Sequence, residues 1–490
     1  MSATTPVPEE LASSLAAEQL LLIDGERVPA LDGATFAVED PSTAQPLTRA
    51  SAAGVADVDA AVQSARAAFA DRRWRGLSGV RRSAVLCRVA DLLETQRHEL
   101  ARLEALDCGK PLRLAAAEVR TAADAFRAFA GRVGEGRDGV GPVEDGLLVY
   151  VEHEPVGVCA AITPWNYPLL MAAWKLAPAL AYGNCVVLKP AEQTPLTALR
   201  LGELCLEAGV PPGVVNVVPG LGHVAGAELV RHPRVDKVAF TGSTPVGREI
   251  LATSAERLAR VTLELGGKSP NVVFADADLE RAAIGTVQGV FRNSGQMCTA
   301  GTRILVESSI REAFVAELVR ATEALRVGAA LEDGVDLGPL VSAAQRDRVA
   351  GYLALAREEG AELATGGELR GPGHFVTPAI LTGARSDMRV AQEEIFGPVA
   401  TVLPFDGFDE AVALANDTEF GLAATVWTAD LRTAHRAARE LRAGTVWVNT
   451  TGRFDAAVPF GGVKQSGIGR ELGAAALEAY TERKAVWVAL

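Results

Sequence analysis

From residue 156 onward the sequence alternates short apolar runs with helix-length segments, and this alternation limits what the chain can fold into. Residues 156–162, 184–188, 214–217 and 237–241 read as strands, with helices near 169–181, 195–208 and 223–230 between them. Repeated strand–helix–strand units of this length imply a parallel sheet covered by helices. The alternation resumes at 260–266, 271–274, 302–306, 379–381, 400–404 and 446–449, so a second α/β unit is expected from about 260 to 445. Ahead of both units, residues 20–28 read as a hairpin about Asp24-Gly25-Glu26, and 55–132 as several amphipathic helices. Residues 131–144 are glycine-rich and polar, a candidate linker, and 146–153 look like a strand. The tail carries Ala485-Val486-Trp487-Val488, a β-prone run that would be a hazardous edge if left exposed, so it should pair with another segment or subunit.

With 490 residues the chain exceeds one small domain, and two or three are expected. Hydrophobic residues are 49% and charged residues 22%, a soluble globular profile with a disorder signature only at the start. The net charge of −13, with both signs interspersed, gives no electrostatic reason to hold nucleic acid. Residues 1–18 lack the basic and apolar regions of a signal peptide, and the longest apolar stretch, 160–181, is broken by Pro164, Asn166, Pro168, Lys175 and Pro178, so no membrane partner is expected. The cysteines Cys87, Cys108, Cys159, Cys185, Cys205 and Cys298 form no CxxC pair and have no His cluster beside them. That disfavours both a metal site and a disulfide framework and suits reduced cytoplasm, with five of the six read as buried small hydrophobes.

Cys298 is the exception. It lies in Phe291-Arg292-Asn293-Ser294-Gly295-Gln296-Met297-Cys298-Thr299, a polar, glycine-bearing interruption of an apolar region. In Leu263-Glu264-Leu265-Gly266-Gly267-Lys268, one carboxylate sits in apolar surroundings. A thiol and a carboxylate so placed fit a covalent nucleophile and a base that activates water, the pair that turns an aldehyde into an acid through a thioester. A buried structural thiol and a solvated strand carboxylate are the competing readings.

Other runs are individually weaker. Thr241-Gly242-Ser243-Thr244-Pro245 follows a strand and opens a helix, which suits a phosphate or equally a plain tight turn; Gly220-Leu221-Gly222-His223-Val224-Ala225-Gly226 is similar. Leu188-Lys189-Pro190-Ala191-Glu192 closes a strand, where ligands gather in open α/β sheets. A carboxylate there accepts from a ribose diol and repels an added phosphate, so Glu192 favours NAD over NADP; a solvated surface pair is the simpler reading of these two residues alone. Pro164-Trp165-Asn166-Tyr167-Pro168 is a rigid aromatic turn whose Asn amide suits a developing oxyanion, or merely satisfies its own turn.

Together these runs resemble the hydrolytic, NAD(P)-dependent branch of the aldehyde dehydrogenase superfamily, over nearly the whole chain. Glu394-Ile395-Phe396-Gly397-Pro398 and Pro459-Phe460-Gly461-Gly462 extend the ordered match. The resemblance implies an α/β fold of three parts: a Rossmann-like NAD-binding domain (1–130 and 150–260), an α/β catalytic domain (261–445) and a small β oligomerisation or bridging element (131–149 and 446–490). It also implies a homodimer or homotetramer. Cys298 would attack the aldehyde, the Asn166 side chain and the Cys298 amide would hold the oxyanion, hydride would pass to NAD, and Glu264 would activate the hydrolytic water. Lys175 and Glu471 match a proton relay to Glu264. Thr163, Trp165, Lys189, Glu192, Gly222 and Gly226 fall at cofactor positions, as do Thr241, Gly242, Ser243, Leu265, Gly266, Glu394 and Phe396. Among these, Lys189 and Glu192 match the adenosine-ribose contacts, Ser243 a pyrophosphate contact and Glu394 the nicotinamide-ribose anchor.

Tyr167, Met171, Trp174, Met297, Phe454 and Phe460 fall at substrate-pocket positions, together with Arg292. Such an aromatic cage attracts a quaternary ammonium aldehyde, and the chain is similar to betaine-aldehyde and aminoaldehyde dehydrogenases. Arg292 opposes this, standing where betaine-aldehyde enzymes carry an aromatic residue and semialdehyde enzymes an arginine for the substrate carboxylate. The second arginine of the latter is replaced by Trp174, and a solvent-facing Arg292 is the plainer alternative. A neutral or anionic aldehyde is therefore expected over a cationic one. The competing functions are a coenzyme-A-acylating relative, a betaine- or aminoaldehyde-specific enzyme, and a non-catalytic protein on the same fold; Glu264 disfavours the first, and retention of Cys298 and Glu264 disfavours the last.

Overall fold

The computed structural model describes residues 7–135, 137–138 and 144–490, so part of the expected linker at 131–144 lies outside the described residues. The first sheet has eight strands in the order Glu26–Val28, Leu21–Ile23, Val215–Val217, Cys185–Lys189, Val158–Ile162, Lys237–Thr241, Arg260–Glu264 and Gly467–Ile468. Its five central strands are parallel, and the pairings at each flank are antiparallel. Strands such as Val158–Ile162 and Cys185–Lys189 are buried along their whole length, because helices cover both faces. That is why they read as continuous apolar runs.

The second sheet has seven strands, ordered Glu362–Thr365, Ala379–Thr382, Val399–Phe405, Arg303–Glu307, Pro270–Val273, Ala423–Trp427 and Thr445–Val448. All pairs are parallel except the first. A separate antiparallel sheet pairs Thr481–Ala489 with Leu147–Pro155 through nine residue partners, from Thr481↔Pro155 to Ala489↔Leu147. The β-prone tail thus has an intramolecular partner, while Trp487 on it remains exposed.

Several boundaries differ from those read in the sequence. Arg260–Glu264 pairs residue by residue with Lys237–Thr241, so it closes the parallel part of the first sheet and does not open the second unit. The chain changes sheets across Leu265-Gly266-Gly267-Lys268-Ser269. Thr445–Val448, expected at the start of the bridging element, is an edge strand of the second sheet, and Gly467–Ile468 returns to the first. Ala423–Trp427 and the hairpin Thr35–Asp40 with Gln45–Ser51 were not apparent in the sequence. The start of the chain is more ordered than its composition implies: Glu9–Ala16 is a helix that buries Leu11 and Leu15. Residues 222–226 form a π turn ahead of the helix Ala227–Arg231, in place of one helix from 223. Of the five cysteines expected in the interior, Cys87 is exposed.

Candidate active site

The helix Leu279–Phe291 stops at Arg292, and the chain reverses through Asn293, Ser294 and Gly295 at φ +53°, +55° and +72°. Left-handed conformations at two successive non-glycine residues are uncommon and need outside support. Asn293 Nδ2 donates to the Asn166 carbonyl at 3.1 Å, Ser294 Oγ to the Gly338 carbonyl at 2.7 Å, and the Val341 N–H to Gln296 Oε1 at 2.9 Å. A β-carbon on Gly295 would lie 2.2 Å from the Gly397 carbonyl oxygen, so only glycine fits. This braced turn delivers Cys298 to the wall of a cavity of about 1430 Å³. Burial pushes the Cys298 thiol up to about 12, with Glu394 and Glu264 adding to it. Asn166 Nδ2 donates to the Gln296 carbonyl at 2.8 Å, which fixes an amide donor beside the nucleophile's loop.

Glu264 ends the strand Arg260–Glu264, lines the same cavity and is 3% exposed. Neither carboxyl oxygen finds a hydrogen-bond partner among the described residues. Burial holds this carboxyl well above its ordinary range, and the charge of Glu471 adds to it, while Lys175 and Arg470 oppose. Behind it, the Lys175 ammonium contacts Glu471 Oε1 and donates to Thr241 Oγ1 at 2.7 Å. Lys175 comes from the helix Pro168–Ala181, and Glu471 is held by reciprocal backbone bonds with Phe460 at 2.7 and 2.8 Å. A carboxyl group thus faces open space with a buried ammonium–carboxylate pair at its back.

Glu394 accepts from the Gly267 N–H at 3.0 Å, and a β-carbon on Gly266 would fall 2.3 Å from its other oxygen. Burial raises Glu394 to about 7, against the Gly267 hydrogen bond and Lys268. Phe396 sits edge-on to Trp165 with ring centres 5.1 Å apart. Gln345 Nε2 donates to the Phe396 carbonyl at 2.7 Å and Arg348 Nε to the Ile395 carbonyl at 3.2 Å, which ties that loop in place. Elsewhere on the wall, Trp174, Phe454 and Phe460 form a mutual edge-on cluster at 5.4–6.0 Å.

At the carboxyl ends of the first sheet, Lys189 Nζ lies 3.1 Å from Glu192 Oε2. Burial lowers Lys189, and Glu192 works against that. The Thr163 N–H donates to the Lys189 carbonyl at 3.1 Å, and its buried hydroxyl has no partner among the described residues. Ser243 caps the helix Thr244–Ala255, with its side chain exposed and not bonded back to the helix.

The aldehyde dehydrogenase family pattern matches residues 29–486. The chain belongs to the aldehyde dehydrogenase family. It is 48% identical over 477 residues to the mitochondrial aldehyde dehydrogenase of Leishmania tarentolae, covering 96% of this chain and 94% of that one. Its structure is similar to the NAD+ complex of the Bacillus cereus aldehyde dehydrogenase, with a TM-score of 0.97, 46% identity and 99% of each chain covered. It is also similar to a betaine aldehyde dehydrogenase from Staphylococcus aureus in complex with NAD+, with a TM-score of 0.95 and 38% identity, covering 98% and 96%. The chain is thus an aldehyde-oxidising oxidoreductase with the aldehyde dehydrogenase fold.

The residues at cofactor positions fit a dinucleotide. A β-carbon on Gly222 would meet nothing within 4 Å among the described residues, and one on Gly226 only Lys189 Cδ at 3.9 Å. Open backbone there, the unpartnered Thr163 hydroxyl, the free Ser243 hydroxyl at a helix N-terminus and the Glu192 carboxylate suit a ribose and a pyrophosphate.

Most residues expected for an aldehyde dehydrogenase site share one cavity wall. Trp165, Thr241, Gly242, Ser243, Leu265 and Gly266 lie on it, as do Glu394 and Phe396. Tyr167, Met171, Trp174, Arg292, Met297, Phe454 and Phe460 line it too, with Asn166, Glu264, Cys298 and Glu471. Lys175, Thr163, Lys189, Glu192, Gly222 and Gly226 are not on that wall; Lys175 stands behind Glu471, and the others lie about the first sheet's strand ends. Two wall features went unread in the sequence. Gln345 and Arg348 brace the loop of Glu394 from far along the chain, with no local signal. Glu118 interrupts the buried helical stripe Leu114, Ala115, Val119 and Ala122, and a carboxylate in such a stripe is a readable sign.

Proposed function

We propose that the chain oxidises a neutral or anionic aldehyde to its carboxylic acid through a thioester on Cys298, with NAD as the cofactor. The observation that carries this is the exposure of Cys298 and Glu264 to one cavity, with the Lys175–Glu471 pair directly behind the carboxylate.

Cys298 Sγ, once deprotonated, adds to the aldehyde carbon. The oxyanion then receives hydrogen bonds from Asn166 Nδ2 and the Cys298 N–H, donors placed before any charge develops. NAD, when bound, supplies the hydride acceptor. Glu264, once ionised, serves as the base: it lines the cavity and Lys175, Arg470 and the Gly462 N–H all favour its charged form. Attack of that water on the thioester carbon releases the acid and returns the thiolate to Cys298. Lys175 and Glu471 carry the proton away from Glu264, and the loop braced by Gln345 and Arg348 holds Glu394 at the cofactor ribose.

Glu192 beside Lys189 favours NAD over NADP, because a 2′-phosphate would face a carboxylate. The first sheet is the cofactor-binding unit, and the second carries the nucleophile. The arm of Leu147–Pro155 and Thr481–Ala489, with exposed Trp487, meets a second copy of the chain in a dimer or tetramer. The six cysteines, with no CxxC pair among them, suit a reduced cytoplasmic setting; among the described residues no helix is long and apolar enough to cross a membrane.

NADH absorbance with a panel of aldehydes tests this directly. Cys298→Ala should abolish oxidation, and Glu264→Gln should leave a stoichiometric burst with slow turnover. Turnover that requires coenzyme A would sink the hydrolytic route, and a preference for betaine aldehyde would sink the assignment of substrate charge.

A further inference from the structure

Beside the aromatic wall lies a buried charge cluster that the oxidation chemistry does not use. Lys110 Nζ lies 3.1 Å from Glu104 Oε1, contacts Glu118 Oε2, and stands 4.6 Å from the Tyr167 ring centre. Glu104 also accepts from Thr197 Oγ1 at 2.7 Å, so its oxygens are both engaged. Glu118 is 3% exposed, lines the cavity, and its Oε1 has no partner among the described residues. Arg292 lines the same cavity, and its Nε, also buried, has no partner among the described residues.

Buried hydrogen-bonding atoms left unmatched are costly, and each calls for a partner, here on the wall of the cavity that holds the substrate. One free atom here is an acceptor and the other a donor. Lys110 answers one carboxylate of the two that touch it, so an ionised Glu118 leaves one negative charge for Arg292 to balance. Arg113, also on the wall, is already paired with Asp336 at 2.9 Å.

We propose that Glu118 is a specificity-determining residue that, with Arg292, forms an acceptor–donor pair for a hydroxyl group on the far end of the aldehyde. The inference rests on the aldehyde-oxidising reading and narrows its substrate to neutral, hydroxyl-bearing aldehydes. Arg292 by itself selects an anion; Arg292 opposite an ionised Glu118 presents no net charge. A hydroxyl both donates to a carboxylate and accepts from a guanidinium, which an alkyl group or a carboxylate does not. The groups facing Glu118 are Lys110, Glu104 and Arg292, with Tyr167 beside them and Asp107 beyond Glu104. Burial raises Glu118 to about 8, against Lys110, so the balance with Arg292 strengthens as pH rises through that range.

The test compares kcat/KM for 4-(hydroxymethyl)benzaldehyde, 4-carboxybenzaldehyde and benzaldehyde, using the full-length enzyme with NAD. Ratios taken at one pH cancel the titration of Cys298 and Glu264. At about pH 9, where Glu118 is ionised, the hydroxymethyl compound should lead each of the others by about tenfold in the wild type. At that pH Glu118→Gln should raise the carboxy-to-hydroxymethyl ratio about tenfold, and Arg292→Gln should remove the advantage of hydroxymethyl over benzaldehyde. From about pH 6.5 to about pH 9 the carboxy-to-hydroxymethyl ratio should fall in the wild type and stay flat in Glu118→Gln. A ratio unchanged within about twofold in Glu118→Gln at about pH 9, or the carboxylate preferred by wild type across that range, overturns the proposal. Should Glu118→Gln fail to fold around Lys110, Arg292→Gln decides alone: an undiminished hydroxymethyl advantage overturns it. No NADH from any of these or simpler aldehydes overturns the oxidation reading itself, a separate result.

Discussion

The backbone of Gly267 lies so close to Cys298 that a β-carbon on residue 267 would stand 2.3 Å from the Cys298 carbonyl oxygen. The glycine pair 266–267 therefore sets how near the strand of Glu264 comes to the loop of Cys298. Gly267→Ala should lower stability by about 1–3 kcal/mol, because the added carbon must force two closely packed backbones apart. Urea denaturation measures that loss, and kcat should fall more than KM rises, since the displaced backbone is that of Cys298 and the aromatic wall of Trp174, Phe454 and Phe460 does not touch Gly267.

Glu264 must be ionised to accept a proton from water, yet burial and Glu471 hold its carboxyl well above the ordinary range. Where thioester hydrolysis limits turnover, kcat should climb as pH rises through that raised value and then level off. Glu264→Gln should flatten this limb while a burst of NADH remains. A wild-type kcat with no rising limb anywhere above the ordinary carboxylate range, over the pH span in which the enzyme stays folded, would remove Glu264 from the rate-limiting step.

Lys175 and Glu471 pull Glu264 in opposite directions. Lys175→Met removes a cation that favours the ionised form, so the rising limb should move to higher pH. Glu471→Gln removes an anion that opposes it, so the limb should move lower. Each variant also leaves a buried partner unmatched, at a cost of about 3–5 kcal/mol in stability. Shifts of opposite sign in the pH profile separate a proton-handling role from simple loss of structure, which would move neither.

Glu192 should govern the choice of dinucleotide. Glu192→Gln withdraws the charge facing a 2′-phosphate, and kcat/KM for NADP should rise by roughly tenfold. NAD should weaken by about 1–2 kcal/mol through loss of a charge-assisted hydrogen bond to the ribose. Initial rates at varied concentrations of each cofactor give both numbers.

The parts of this protein that were legible in the sequence are those where chemistry demands a local pattern. Cys298, Glu264 and Asn166 each stand in runs whose glycines, prolines or aromatic residues have no role in an ordinary strand or helix. The parallel strands were legible because both faces are buried. Ala423–Trp427 was not, because it opens on two alanines, and the β-prone part is only Thr425-Val426-Trp427. The switch of sheets after Glu264 has no local sign, since Arg260–Glu264 and Pro270–Val273 are both short strands a few residues apart and their pairing partners alone assign them to different sheets. Glu118 and Lys110 acquire meaning only when the helix Leu112–Ala130 is set against Tyr167 and Arg292.

The ion pair behind the base joins residues 296 positions apart, and Gly467–Ile468 completes the edge of the sheet that carries Glu264. These parts meet only once synthesis has passed Glu471. A nascent chain therefore carries Cys298 and Glu264 long before the Lys175–Glu471 pair can form behind them, and a product truncated ahead of Glu471 should not turn over.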